Sequence, residues 1–121
     1  MFEIAKTFRF AAAHHLPQLP DGHKCRRVHG HNYTVEVRIA CPNLDLYGFV
    51  IDYGDLAVVR EYLDSTFDHR DLNAVLPVQA TAELLAAHIY SHAWTLLALP
   101  EGATLAVRVS ETPDTWAEYR A

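Results

Sequence analysis

Eight histidines occur in 121 residues, and five of them fall between residues 14 and 31, where an even spread would put about one. Imidazole is the commonest metal ligand among side chains and titrates nearest to neutrality, so a local excess points to metal or proton chemistry. Two of the five form His29-Gly30-His31, and Cys25 precedes His29 by four residues. Cationic neighbours favour a thiolate, the form of cysteine that acts as base or nucleophile, and Cys25 stands among His23, Lys24, Arg26 and Arg27. The same four residues could meet an anionic substrate or simply face solvent. Asp68-His69 places a carboxylate beside an imidazole, a pairing suited to proton transfer, although adjacency alone does not establish their hydrogen bond. Glu111 could pair with a core arginine, or offer two acceptor oxygens to a ligand with adjacent N–H donors. His88 and His92 are four apart but lack the glutamate of HExxH and read as helix-surface residues. Cys41 reads as an inert small hydrophobe.

Hydrophobic periodicity supplies the elements that must position these groups. From Phe2 to His14 the even positions are largely apolar, which predicts a strand. Alternation returns with His29, His31, Tyr33, Val35, Val37 and Ile39 on one face of a second strand. Consecutive strands usually pair, so a hairpin is expected, with a connection from His15 to Val28 long enough to be functional. Leu56, Val59, Leu63 and Phe67 recur at helical spacing, with Asp52 or Tyr53 near the helix start. A second helix begins near Thr81 and stops before Pro100. Leu105, Val107, Val109 and Glu111 share a strand face, and Trp116 to Arg120 returns as the last strand. The order β-β-α-α-β-β predicts an α+β fold, with an antiparallel four-stranded sheet covered on one face by two helices.

Strand parity then sorts the histidines. His29 and His31 point the same way, roughly 7 Å apart along the backbone. His14 continues the row of Phe8 and Phe10, whereas His15 faces the other side with Arg9. The end of one strand and the start of the next meet, so His14, His29 and His31 should converge on the inward face. Any one of them could instead cap a strand through a backbone hydrogen bond. Three imidazoles with an open fourth position are the ligand set of a catalytic zinc, structural sites being closed by four cysteine-rich ligands, and iron, copper and nickel also accept imidazole. Gly30 between two ligands suggests a crowded backbone.

The length suits one domain spanning residues 1–121. Half the residues are hydrophobic and 21% charged, an ordinary globular composition. The formal charge of -5 argues against non-specific nucleic-acid binding, which needs a basic face. The first ten residues carry three charges and no apolar run of a secretory signal, and the apolar stretch 84–99 falls short of the ~20 residues of a membrane span. A cytoplasmic protein with no membrane partner is expected. Two cysteines indicate no disulfide framework.

Six ordered motifs carry a family resemblance: Phe10-Ala-Ala-Ala-His14, Gly22-His23-Lys24-Cys25 through His29-Gly30-His31, Val50-Ile51-Asp52-Tyr53, Asp68-His69, Thr81-Ala82-Glu83 and Ser110-Glu111-Thr112. The chain resembles the 6-pyruvoyl- and 6-carboxy-tetrahydropterin synthases nearly end to end. Cysteine followed after three residues by His-Gly-His is most similar to the bacterial 6-carboxy branch of queuosine biosynthesis. The resemblance implies a lyase with Zn2+ on His14, His29 and His31 and 7,8-dihydroneopterin triphosphate as substrate. It further implies Cys25 as general base, Asp68 and His69 completing a proton relay, and Glu111 anchoring the pterin. In the carboxy branch acetaldehyde and triphosphate leave and 6-carboxy-5,6,7,8-tetrahydropterin remains. A pyruvoyl-type synthase and a non-catalytic metal-binding module are the alternatives. The resemblance also implies the tunnelling fold: sheets join edge to edge into a trimeric barrel and two trimers stack, giving a homohexamer with sites between subunits. The sequence departs from the family pattern at Ala80 and Ala82, where proline and serine are common, at His15, and at Arg26.

Overall fold

The computed structural model describes residues Met1 to Ala121. Its strands are β1 (Phe2–His14), β2 (His29–Cys41), β3 (Arg70–Asp71), β4 (Thr104–Ser110) and β5 (Ala117–Arg120), and its helices α1 (Ala57–Thr66), α2 (Leu72–Val75) and α3 (Ala82–Leu96). β1 and β2 pair antiparallel without a bulge, from Phe2 opposite Cys41 to His14 opposite His29. The alternation of the sequence is the cause: Phe8, Phe10, Ala12 and His14 on β1 and Tyr33, Val35, Val37, Ile39 and Cys41 on β2 are all buried. A slip of one residue would turn one of the two rows to solvent.

β4 extends the sheet beside β2, and β5 beside β4, both antiparallel. Leu105, Val107 and Val109 complete the inward face. Against it pack Leu56, Val59, Leu63 and Phe67 from the α1 segment and Leu85, Ala86, Ile89 and Ala93 from α3. Phe10 stacks between Tyr33 and Phe67, with ring centroids 5.1 and 5.6 Å away. Asp52 starts the helical segment by accepting from the Gly54 N–H at 2.8 Å, through a 3-10 turn over Tyr53–Leu56 that runs into α1. Thr81 Oγ1 caps α3 by accepting from Leu84 N–H, which satisfies one of the donors a helix start leaves free. No helix is long and apolar enough to cross a membrane.

Two features differ from the expectation of a four-stranded antiparallel sheet under two helices. The sheet has five strands, in the order β3-β1-β2-β4-β5, and β3 runs parallel to β1, with Ala12 opposite Arg70 and Ala13 opposite Asp71. A one-turn helix, α2, follows it, capped by Asp71. The cause lies in the chain leaving α1. His69 adopts a left-handed conformation, φ 59°, which is uncommon for a side-chain-bearing residue. Its N–H donates to the Ala11 carbonyl at 2.6 Å, while Asp68 Oδ1 accepts from the Ala11 N–H at 3.0 Å. A side chain and a turn therefore satisfy both peptide groups of Ala11 on the open edge of β1.

Candidate active site and metal centre

The ring nitrogens of His14, His29 and His31 lie within 4.8 Å of one another. His14 is buried and the other two half-buried, so the three expected ligands do share the inward face. Two backbone carbonyls orient them. His14 Nδ1 lies 2.7 Å from the Ala80 carbonyl, and His29 Nδ1 lies 2.7 Å from the Arg27 carbonyl. A carbonyl only accepts, so each Nδ1 donates, and in the neutral ring each Nε2 then presents a lone pair. Those two Nε2 atoms face each other at 3.0 Å, close to the roughly 3.3 Å between two ligands of a tetrahedral zinc. Two lone pairs at that distance repel unless a cation lies between them. His31 Nε2 is buried with no hydrogen-bond partner, and burial, opposed by Glu111, holds its imidazole below the ordinary range. Two imidazoles oriented through Nδ1 and a third whose Nε2 has no partner fit a divalent transition metal.

The carbonyl contacts carry no sequence signal, because every residue has a carbonyl. For the same reason the departure at Ala80 leaves the His14 contact intact. Gly30 is not explained by crowding: a Cβ there would meet only the Ala12 carbonyl oxygen, at 3.6 Å, an ordinary contact.

The loop from His15 to Val28 is folded back on itself. Leu16 N–H donates to the Cys25 carbonyl at 2.8 Å, and the His23 imidazole accepts from the Cys25 N–H at 3.1 Å, starting a 3-10 turn over Lys24–Arg26. This turn carries Cys25 to a cavity of about 530 Å³ that it shares with His29, His31 and Glu111. Glu111 sits one residue past β4, its Oε2 3.7 Å from His31 Nε2, and borders a second hollow of about 210 Å³ beside Trp116. Tyr33 lies beneath, its ring 5.5 Å from that of His31, and burial together with Glu111 pushes its phenol pKa up.

Asp68 and His69 are not brought to this cavity. They form a pair at the edge of β1, His69 Nδ1 3.0 Å from Asp68 Oδ2. The Ala11 N–H, and then His69, hold the Asp68 carboxyl below the usual carboxylate range. The His69 side chain is 82% exposed and borders a different hollow, with Ala11, Ala13, Gly30, Asn32 and also His31, which lines both. His88 and His92 lie on α3, where the His92 ring stacks on Tyr62, with centroids 5.0 Å apart. Cys41 is buried, its thiol directed at the Glu101 carbonyl.

Comparison with known proteins places the chain by sequence and by fold. A family model described as 6-pyruvoyl tetrahydropterin synthase matches residues 3–121. The chain is 33% identical to the 6-carboxy-5,6,7,8-tetrahydropterin synthase of Bacillus subtilis, over 98% of this chain and 85% of that one. It is 31% identical to the protein of the same name from Haemophilus influenzae, over 99% of both. The solved 6-pyruvoyl tetrahydropterin synthase of Caenorhabditis elegans superposes with a TM-score of 0.85 at 25% identity, covering 99% of this chain and 95% of that one. Matching both in sequence nearly end to end and in backbone, the chain belongs to the 6-pyruvoyl tetrahydropterin synthase family.

Proposed function

We propose that the chain, as one domain over residues 1–121, is a zinc-dependent lyase of the cytoplasm. It converts 7,8-dihydroneopterin triphosphate and one water to 6-carboxy-5,6,7,8-tetrahydropterin, releasing acetaldehyde and triphosphate, on the route to queuosine. The observation that carries this reading is the meeting of Cys25, His29, His31 and Glu111 around one cavity, with His14 against the other two imidazoles. A passive metal site needs neither the thiol nor the carboxylate. The 6-carboxy product is favoured by the names of the relatives from Bacillus subtilis and Haemophilus influenzae.

His14, His29 and His31 would hold the zinc, which as a Lewis acid makes a substrate hydroxyl and its neighbouring C–H more acidic. The Cys25 thiolate accepts the side-chain proton. Glu111 orients the pterin by accepting from two ring N–H groups, a charge-assisted pairing. Asp68 fixes the His69 ring through Nδ1 and leaves Nε2 to carry a proton. Since His69 does not line the Cys25 cavity of its own subunit, the relay serves a neighbouring subunit in a homohexamer built as a dimer of trimers. The test is to incubate the zinc-loaded protein with dihydroneopterin triphosphate and identify the products by mass. Acetaldehyde with 6-carboxy-tetrahydropterin is expected; a pyruvoyl pterin would refute the carboxy assignment, and unchanged substrate would refute the enzyme.

A further inference from the structure

Two cations stand in the wall of the Cys25 cavity, Lys24 and Arg27. Neither is ion-paired with a carboxylate of the chain, although acidic residues outnumber Lys and Arg by 15 to 10. Arg26, next to them, is used differently. Its guanidinium donates to the carbonyls of Pro17 and Leu19 at 2.8 and 2.7 Å and lies 3.6 Å from Asp21, which clips the loop closed. Lys24 opens the 3-10 turn and Arg27 ends it in an extended conformation, and both line the cavity. Arg27 is also fixed through its backbone, because its carbonyl holds the Nδ1 of the metal-ligand candidate His29.

The cavity wall therefore carries two chemistries. Glu111 offers acceptors to N–H groups, while Lys24 and Arg27 offer unpaired positive charge beside the imidazole cluster. We propose that Lys24 and Arg27 form an anion subsite for the polyphosphate tail of the substrate, an assignment that rests on the pterin triphosphate reading above. The Arg27 fork binds phosphate oxygens in pairs and Lys24 acts as a point charge.

The experiment compares wild type with Lys24→Ala, Arg27→Ala and the double variant, all metal-loaded with free metal held constant. Binding of inorganic tripolyphosphate and of phosphate-free 7,8-dihydroneopterin is measured by calorimetry. Each single variant should weaken tripolyphosphate roughly tenfold, as expected for one charge-assisted hydrogen bond, and the double variant more. Dihydroneopterin should bind unchanged, and raising the salt should shrink the difference between variants. Arg120→Ala, which removes an equal charge from β5, should leave both ligands unaffected. Wild-type affinity for tripolyphosphate in the double variant, or an equal loss of dihydroneopterin, would overturn the assignment. If tripolyphosphate binds through Lys24 and Arg27 but dihydroneopterin does not bind to wild type, the pterin reading fails while the anion subsite stands.

Discussion

Replacing His14 by Ala should remove stoichiometric metal binding, whereas replacing its neighbour His15 should not. His14 is buried, with Nδ1 on the Ala80 carbonyl and Nε2 3.0 Å from His29 Nε2. His15 is held through its backbone instead: its N–H donates to Asn73 Oδ1 and its carbonyl accepts from Asn73 Nδ2, both at 2.9 Å. Those bonds survive loss of the imidazole. Four-ligand zinc sites bind with about 10–16 kcal/mol, so one ligand of such a set contributes roughly 3–4 kcal/mol, or two to three orders of magnitude in Kd. At a thousandfold excess over Kd the metal adds about 4 kcal/mol to wild-type stability, which raises Tm by roughly 10–20 °C in a chain of this size. His14→Ala should lose most of that increment. It also starts lower when metal-free, because the Ala80 carbonyl is left without its donor, at a cost of about 1–3 kcal/mol. The assay is competition with a chromogenic chelator for Kd, together with melts of each variant with and without metal. A wild-type Kd in His14→Ala, or loss of metal in His15→Ala, would show that the inward row of β1 does not supply the ligand.

Cys25→Ala should retain stoichiometric metal and lose turnover, measured by metal content and product mass; loss of the metal would make Cys25 a ligand rather than a base. Cys25→Ala and His69→Ala should each be inactive alone, yet recover part of the wild-type rate when co-refolded, because some mixed interfaces then pair an intact thiol with an intact imidazole. No recovery would mean that the relay and the base serve a single chain. Burial, and then His92, hold the His88 imidazole below its ordinary value of 6.5. The unfolded chain therefore takes up that proton first, and stability should fall as pH drops from about 7 to 5 and level off above. In urea melts His88→Gln should flatten that slope, and an unchanged slope would exclude His88 as its source.

The parts of the site legible in the sequence are those governed by strand parity. Phe8, Phe10 and His14 share a row, and that row is the buried one, so the choice of His14 over His15 follows from counting by two. Parity also aimed the row of Leu105, Val107 and Val109, and Glu111 after it, toward the imidazoles. It has no purchase on a loop. β3 escaped because its two residues are held to β1 by an aspartate side chain and a left-handed histidine, neither of which leaves a periodic trace. Asp68 and His69 belong to that same device, and so their distance from Cys25 was illegible as well. What places them is the unpaired edge of β1: one carboxylate satisfies the Ala11 N–H through Oδ1 and holds His69 through Oδ2. A group that repairs a sheet edge is thereby fixed beside the edge, facing outward. That position lies outside the Cys25 cavity, which is why the catalytic reading of Asp68 and His69 proposed above stands or falls with the assembly.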